Sequence, residues 1–428
     1  MPPVTLAVVG AGNRGMGHGG WALAHPERAR VVAVAEPRDA RRERLAAAHA
    51  IPATARFGSW RELADRGRLA DAVLLCTQDA MHVEPALAFA ELGYHLLLEK
   101  PMATSEADCR RIVEAVQRAG VLLAVCHVLR YTPYTRLVKQ LVDQGRLGEV
   151  VSVQHLEPVG FSHHAHSYVR GAWRREDTAT FMLMAKSCHD LDWLAYVVGR
   201  PIRRVASFGG LAHFRPENRP DGASDRCLDC QVEPTCPYSA VRFYSRYLDR
   251  ETVWPLDALV DRRTGEDLDA ALRHGPYGRC VYACDNDVVD HQVVAMEFDG
   301  GPTGTFTMTA FTAGGHRRTR LFGTRGELHG DGETVTLYDF LTETSETLQA
   351  RTPGDATAGG GHGGGDWGLM DAFVRAVATG DGSHILSGPR ESLEAHLAVF
   401  AAERARRTGT VSTIPPMTGS GGPLGDTL

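Results

Sequence analysis

The sequence predicts an α/β protein in which a doubly wound parallel sheet is followed by a second, α+β unit. Short β-branched apolar runs alternate with helical stretches from residue 4 to residue 126, as strands joined by crossover helices do. Between residues 293 and 338 the pattern becomes one of alternating strands joined by Gly-rich turns, which predicts a mainly antiparallel sheet. With 428 residues, the chain is long enough for two packed units.

Composition excludes several classes of protein. The 46 basic and 52 acidic residues give a formal net charge of −6, without the clustered positive charge that nucleic-acid binding requires. No apolar run approaches the roughly 20 residues that span a bilayer, and the N-terminus does not resemble a signal peptide. Nine cysteines, an odd number, favour a reducing compartment. We therefore expect a cytoplasmic protein without membrane or nucleic-acid partners.

The first strand, Val4–Val9, runs into a glycine-rich turn that opens a helix. A second apolar run then ends at Glu36, about twenty residues further on, which is the context of a dinucleotide-binding fingerprint. A carboxylate at Glu36 would bind ribose hydroxyls and repel a 2′-phosphate, so NAD is favoured over NADP. The predicted cofactor-binding residues of this turn are Gly10, Gly12, Asn13, Arg14 and Gly15.

Further strands end at polar residues that we expect to line one crevice with the nicotinamide end of the cofactor, because ligands bind beyond the carboxyl ends of parallel strands. Lys100 follows four apolar strand residues and precedes Pro101, so a rigid turn holds it where a proton donor or acceptor could act. The polar residues in question are Thr77, Gln78, His82, Glu99 and Lys100.

These features resemble the glucose–fructose oxidoreductase/inositol dehydrogenase/rhizopine catabolism (Gfo/Idh/MocA) oxidoreductases. The Glu99-Lys100-Pro101 turn is the most specific part of the resemblance. The resemblance implies an N-terminal Rossmann domain, a second domain with a large open-faced, mainly antiparallel sheet, and NAD(P)-dependent chemistry on a sugar, cyclitol or polyol. It also implies that Lys100 positions and polarises the reacting hydroxyl.

A helix is predicted around residues 181–194, and one arc of it carries Lys186, His189, Asp190 and Trp193. A histidine among complementary ionisable groups favours a catalytic His189. His189 and Asp192 also match the Asp-x-Gly-x-His-x-x-Asp pattern of the resembled family. The leading aspartate and glycine are replaced by Ala185 and Ser187, a departure from the family pattern. The predicted catalytic residues are Lys100, Lys186, His189 and Asp192.

A polar stretch after the strand at 150–156 combines histidines, arginines and an aromatic residue. It is typical either of a sugar site with a stacking face or of a solvated loop. A Gly-rich segment at 358–366 contains His362 and is interpreted either as a flexible loop or as a substrate lid. The predicted substrate contacts are Arg130, Tyr131, His166, Arg170, Trp173, Asp190 and His362.

The cysteines at 227, 230, 236 and 280 suit a tetrahedral structural zinc site. Cys284 is an alternative fourth ligand, and free thiols or redox chemistry are alternatives to zinc. We expect residues 1–126 to bind NAD and residues 127–407 to bind substrate and mediate oligomerisation, with the Cys-rich insertion at 213–285. Residues 408–428 are expected to be a disordered tail.

The sequence thus predicts an NAD-dependent oxidoreductase acting on a secondary hydroxyl of a sugar, inositol or glycoside. An alternative is a redox glycosidase that oxidises, eliminates and re-reduces its substrate with retained NAD. A non-catalytic sensor would have no need of Lys100 and His189. The open sheet face predicts a homodimer or homotetramer.

Overall fold

The computed structural model describes residues 2–250, 254–350 and 362–417. Its first sheet has six strands, all parallel, in the order β3-β2-β1-β4-β5-β6. This is the strand order of a dinucleotide-binding fold, whose ligands bind where the order reverses between β1 and β4. The strands are β1 (Val4–Val9), β2 (Ala29–Ala35), β3 (Arg56–Phe57), β4 (Ala72–Leu75), β5 (His95–Leu98) and β6 (Leu123–Val125).

Crossover helices connect these strands, and their ends follow from local chemistry. Helix α5 begins after Ser105, whose hydroxyl accepts a hydrogen bond from the Asp108 amide, and it ends at Gly120, which has a left-handed backbone. The short strand β3 and helix α3 were not predicted, because two strand residues carry no periodicity. The helices are α1 (Asn13–Ala24), α2 (Asp39–Ala48), α3 (Trp60–Asp65), α4 (Val83–Glu91) and α5 (Glu106–Ala119).

The second sheet has nine strands in the order β14-β13-β12-β11-β7-β10-β9-β8-β15. Only β7 and β10 pair in parallel, so the predicted mainly antiparallel sheet is confirmed. The strands are β7 (Val150–Pro158), β8 (Ile202–Gly210), β9 (His291–Phe298), β10 (Thr303–Thr309), β11 (Arg318–Gly323), β12 (Gly326–Gly330), β13 (Thr334–Asp339), β14 (Thr344–Gln349) and β15 (Ser412–Thr413).

Helices cover one face of this sheet and leave the other open. Along β9, Val294 and Met296 are buried, whereas Val293 on the opposite face is 40% exposed. Helices α9 and α13 pack on the covered face. The helices of this part are α6 (Pro133–Asp143), α7 (Phe161–His164), α8 (Met182–Ala185), α9 (Cys188–Val198), α10 (Ala240–Ser245), α11 (Gly265–His274), α12 (Gly365–Thr379) and α13 (Pro389–Thr408).

Three expectations about local structure are corrected. The stretch expected to be a loop after β7 is helical, because α7 continues into a π-helical turn over Ala165–Arg170. The helix predicted at 181–194 is broken at Lys186 and Ser187, between α8 and α9. The tail is not disordered up to residue 417, since β15 pairs with β8 and the Ile414 amide donates to Arg203 O at 2.7 Å.

Two later parts of the chain do not pack on the second sheet. Helix α12 packs Leu369, Phe373 and Val374 against the first sheet's core rather than against the second sheet. The insertion has its own small core around Tyr244 and Leu256.

Among the described residues, no helix combines the length and apolar character needed to cross a bilayer. All nine cysteines are described and none forms a disulfide.

Candidate functional site: the strand-end cleft

The glycine-rich turn between β1 and α1 is shaped by steric necessity at two positions. Gly10 has φ +91°, and a Cβ there would lie 2.5 Å from Cys76 O. A Cβ on Gly15 would lie 2.0 Å from Gly10 O, so α1 can approach the turn only with glycine at this position. Among the described residues, a Cβ on Gly12 would meet only the Arg41 guanidinium, at 3.5 Å, which leaves this backbone open to a ligand. The turn therefore fits the phosphates of a dinucleotide at the α1 N-terminus.

Replacing Gly15 with alanine is expected to destabilise the protein by roughly 1–3 kcal/mol, because the new methyl group has no space. NAD binding should weaken with it. Gly17→Ala is the matched control, since Gly17 lies in the same helix and, among the described residues, no atom beyond its chain neighbours and the helix's own backbone lies within 4 Å of its Cβ position. That change should raise stability by about 0.5–1 kcal/mol through helix propensity. Thermal unfolding of the two variants decides the point, and equal melting temperatures would contradict the steric argument.

Glu36, at the end of β2, is buried beside the same turn. Its carboxylate accepts hydrogen bonds from the Ala11 amide at 2.8 Å and from the Arg38 amide at 2.9 Å. The acid is thus fixed where the sequence pattern predicts a ribose-binding carboxylate.

Arg14 and Glu99 pair with each other across the crevice. The Arg14 guanidinium donates to Glu99 at 2.6 Å and to Asp366 at 2.8 Å, and His18 Nε2 lies 2.9 Å from the same Glu99 oxygen. Burial raises the pKa of Glu99, but Arg14 and His18 outweigh it and hold that pKa well below its usual range. Asn13 is exposed beside Arg14 at the start of α1. The pair places fixed charges around the cofactor cleft.

His82 is fully buried and joins two strand-end loops. Its ring nitrogens lie 2.7 Å from Pro101 O and 3.2 Å from Thr77 O. These contacts correct the expectation that the imidazole itself contacts the cofactor: both nitrogens are engaged by backbone. Thr77 and Gln78 lie at the end of β4 as predicted, and His82 holds that loop against the turn that carries Lys100.

Lys100 reaches from the end of β5 to the break between α8 and α9. Its Nζ donates to Ala185 O at 2.5 Å. The next residue, Lys186, pairs with Glu157 at 3.2 Å. The broken helix therefore exposes a carbonyl that fixes one ammonium and places a second ammonium nearby.

His189 lies in the first turn of α9 and is 4% exposed. Its ring centroid is 5.8 Å from that of His127 and 6.0 Å from that of His362. Its Nδ1 is buried without a hydrogen-bond partner among the described residues. Burial lowers the pKa of His189 well below its ordinary value, and the Lys100 charge lowers it further. His189 is therefore neutral near pH 7 and able to accept a proton.

Three predicted site residues are engaged elsewhere. Arg130 donates to both carboxylate oxygens of Asp192 at 2.7 Å, and both side chains are buried. The Tyr131 hydroxyl lies 2.9 Å from Ser387 Oγ, and burial raises its pKa to about 12. These contacts correct the predicted catalytic role of Asp192 and the predicted substrate contacts of Arg130 and Tyr131. Instead, the three side chains fasten α9 and the segment before α13 to the turn that follows β6.

Two more predicted substrate contacts face the insertion. His166 Nδ1 lies 2.8 Å from the Tyr244 hydroxyl, and burial lowers the pKa of His166 to about 3. Arg170 is buried and donates to Arg279 O at 2.7 Å and to Cys227 Sγ at 3.6 Å. The π-helical turn directs both side chains away from the cleft, which corrects their assignment to substrate. The sequence pattern could not reveal this, because it read the segment as a loop.

Asp190 belongs to a buried ionic network rather than to an open pocket. Arg317 donates to Asp190 at 2.6 Å and also pairs with Glu157 at 2.9 Å, while His155 Nε2 lies 3.1 Å from Asp190. Burial raises the pKa of Asp190, but Arg317 and His155 outweigh it and hold that pKa well below the usual range. Through Glu157 the network extends to Lys186.

Two further predicted substrate contacts, Trp173 and His362, are exposed. The Trp173 indole is 39% exposed and donates to Asp79, just after β4, at 3.1 Å. His362 pairs with Asp366 at 3.1 Å and lines a cavity of about 630 Å³ that also contacts Trp193 and Arg317. A hexose-sized ligand fits such a volume. Residues 358–361 of the predicted lid lie outside the described residues.

Sequence reasoning missed several residues that belong to this site. Glu157 lies in β7 and Arg317 directly precedes β11, two strands that pair only in the fold, so no local spacing joins these residues to α9. His163 is half-buried, and desolvation and the Lys186 charge lower its pKa well below its ordinary value. His127 is buried, neither ring nitrogen makes a hydrogen bond among the described residues, and its Nδ1 lies 3.8 Å from Asp192 Oδ2. Its signal in the sequence is a polar residue directly after a strand, at the edge where ligands bind.

The four predicted metal ligands surround one small cavity. Cys227, Cys230, Cys236 and Cys280 line a space of about 20 Å³, and Cys284 does not. Within the described ranges, however, the group of ligand atoms that all lie within 4.8 Å of one another is His18, Cys76 and Glu99. The Arg14 guanidinium already pairs with that Glu99.

Family models match nearly the whole chain. The model described as "Oxidoreductase family, NAD-binding Rossmann fold" matches residues 4–127. The model described as "Oxidoreductase family, C-terminal alpha/beta domain" matches residues 139–414.

Among curated relatives, YteT of Bacillus subtilis, named as an oxidoreductase, is 25% identical over 69% of this chain and 70% of its own. The 2,7-anhydro-N-acetylneuraminate hydratase of Escherichia coli is 28% identical over 35% of this chain and 39% of its own. Inositol 2-dehydrogenase 2 of Saccharopolyspora erythraea is 30% identical over 54% of this chain and 63% of its own. The latter two matches thus span less than two thirds of those relatives.

A solved structure extends the likeness to the whole fold. The oxidoreductase domain protein of Kribbella flavida superposes with a TM-score of 0.71 at 20% identity, covering 97% of this chain and 100% of its own. With both family models matched in order along one chain, this protein belongs to the Gfo/Idh/MocA family of NAD-binding oxidoreductases.

Proposed function

We propose that this protein is an NAD-dependent oxidoreductase that transfers a hydride between a secondary hydroxyl of a sugar, inositol or glycoside and the nicotinamide. The observation that carries the proposal is the meeting of Lys100, from the end of β5, with the α8–α9 break and His189. An ammonium and a neutral imidazole at the cofactor end of a dinucleotide fold are what alcohol oxidation requires. The inositol dehydrogenase relative supports the substrate class.

The residues of the β1–α1 turn and Glu36 fit the dinucleotide, because the turn has room at Gly12 and a fixed ribose-binding acid. When bound, NAD supplies a hydride acceptor. His189 takes the proton of the reacting hydroxyl, since burial and Lys100 keep its imidazole neutral. Lys100 stabilises the negative charge that develops on the same oxygen. Trp173 offers an exposed indole face to the sugar ring.

A second candidate function is a redox glycosidase, in which NAD is retained and an elimination follows oxidation. Its support is the Lys186–Glu157 pair beside Lys100, which adds an acid and a base that simple hydride transfer does not use. One curated relative, the 2,7-anhydro-N-acetylneuraminate hydratase, is not named as a dehydrogenase.

One assay separates these functions. The purified protein is incubated with NAD and a panel of sugars, inositols and aryl glycosides, and NADH absorbance and aglycone release are recorded together. Steady NADH formation without aglycone release is the expected result. Aglycone release that requires NAD without accumulating NADH would replace the dehydrogenase by the glycosidase. Failure of both reactions in a protein that binds NAD would contradict both candidates.

We further propose that Cys227, Cys230, Cys236 and Cys280 bind one structural zinc ion. Their shared cavity of about 20 Å³ holds a single water-sized particle. Arg170 donates to Cys227 Sγ and supplies positive charge to thiolates. The sulfurs would have to rotate inward to reach the Zn–S distance of about 2.3 Å.

The zinc proposal predicts one equivalent of zinc per chain by elemental analysis of protein prepared without chelator. Cys280→Ser should lose the metal and lower the unfolding temperature, because three thiolates bind zinc more weakly than four. Cys284→Ser is the matched control and should keep the full equivalent, since Cys284 lies off the cavity. The zinc proposal would be contradicted if the wild-type protein contained no zinc and a chelator left its unfolding temperature unchanged.

We also propose that two or four chains associate through the open face of the second sheet. Exposed apolar side chains on or beside that face support this, Phe208 at 70% and Val293 at 40% among them. Contiguous exposed apolar surface is typical of a protein interface.

A further inference from the structure

A short part of the Cys-rich insertion reaches the dinucleotide-binding unit. Residues 254–260, here called the strap, contain a single 3₁₀ turn at Leu256–Ala258. Leu256 is fully buried in the insertion's own core, so this core fixes the position of the strap. The next residue, Asp257, faces helix α2 of the first unit, more than 200 residues earlier in the chain.

The contact lies beside the glycine-rich turn. The Arg41 guanidinium donates to Asp257 O at 3.4 Å through one nitrogen. Its other terminal nitrogen lies 3.5 Å from the Cβ position of Gly12, in the turn that fits the phosphates. One guanidinium therefore spans the distance between the strap and the turn. Arg41 lies in the first turn of α2, shortly after the predicted ribose-binding acid Glu36, so we infer that the strap lies at the adenosine end of the cleft.

The Asp257 carboxylate has an unsatisfied hydrogen-bond acceptor in this position. Its Oδ1 is buried and has no hydrogen-bond partner among the described residues. The charges that act on it are those of Arg41, Arg263 and Arg44, and none of the three donates to that oxygen in the described structure. A buried acceptor without a donor is costly. The hydroxyl and amino groups of an adenosine moiety are donors of the kind it lacks.

We propose that the strap closes over the adenosine half of NAD, with Asp257 accepting a hydrogen bond from it, and that the strap thereby slows the release of the cofactor. The inference rests on the proposed NAD-dependent function and deepens it. A cofactor held between two units must wait for the strap to open before it leaves.

The test is the rate at which NADH leaves the full-length protein. Wild-type and variant proteins are loaded with NADH, freed of excess by gel filtration and mixed rapidly with a large excess of NAD. The loss of energy transfer from tryptophan to NADH then gives the dissociation rate. Asp257→Lys places a cation against Arg41 and should raise that rate at least tenfold. Asp257→Asn keeps the shape of the strap and should raise it two- to fivefold.

Asp261→Lys is the matched control, because Asp261 is exposed just beyond the strap and the substitution makes the same change in charge as Asp257→Lys. It should leave the dissociation rate within twofold of the wild type. If both Asp257 variants release NADH as the wild type does, the proposal is wrong, even where the wild-type rate is slow. If the wild type does not bind NADH, the proposed function itself fails. The Asp257→Asn result decides the matter where Asp257→Lys does not fold.

Discussion

Lys100→Met should lower kcat by about 10³-fold, within the range of about 10²–10⁴ expected for a proton-transferring or charge-stabilising group. The methionine keeps the length of the side chain but removes the ammonium that donates to Ala185 O. NAD affinity should change little, because the turn at Gly10–Gly15 and Glu36 lie at the other end of the cleft. Steady-state kinetics and NAD titration of the same preparation measure both quantities.

The matched control is Lys139→Met, which removes a lysine that pairs with Asp143 on the surface of α6. Its kcat should equal that of the wild type. Lys186→Met provides a graded comparison, because Lys186 is held by Glu157 rather than by the α8 carbonyl. If Lys100→Met keeps more than a tenth of the wild-type kcat, Lys100 does not take part in the mechanism as proposed.

His189→Asn should lower kcat for alcohol oxidation by ~10²–10⁴-fold, since it removes the proton acceptor. The wild-type pH profile gives a second readout. Burial and Lys100 lower the pKa of His189 below its ordinary value of 6.5. The neutral base therefore persists as pH falls, and oxidation should lose rate only well below pH 6.5. In the reduction direction the protonated form is needed, so the rate should rise as pH falls through the same pKa.

Rates of oxidation by the wild type from pH 4.5 to 9, each compared with His189→Asn, provide the measurement. The variant should lack the acid limb that the wild type shows. A wild-type limb centred at pH 6.5 or above would indicate a solvent-exposed histidine and contradict the buried position of His189.

The sequence predicted what depends on local chemistry. Gly10 and Gly15, the strand-end Lys100 and the alternation of strands and helices each follow from neighbouring residues. Contacts between distant segments did not follow. Arg130 and Asp192 were each plausible functional residues on their own, and only the packing of α9 against the turn after β6 pairs them.

The same reason explains the missed and misassigned residues of the second unit. The direction of the Arg170 side chain depends on a π-helical turn, and no pattern of residue types in the segment predicts that turn. Arg317 and Glu157 meet through strand pairing across 160 residues of chain. The Asp257–Arg41 contact joins an insertion to the first unit and could be read only from the fold.

The most direct test of the central claim is a single turnover. NAD-loaded wild-type protein and Lys100→Met are mixed rapidly with each secondary alcohol of the panel while absorbance at 340 nm is followed. At least one sugar, inositol or glycoside should produce enzyme-bound NADH in the wild type, and the variant should form it about 10³-fold more slowly. Absence of reduction with every alcohol, in protein shown to hold NAD, would contradict hydride transfer as the function of this site.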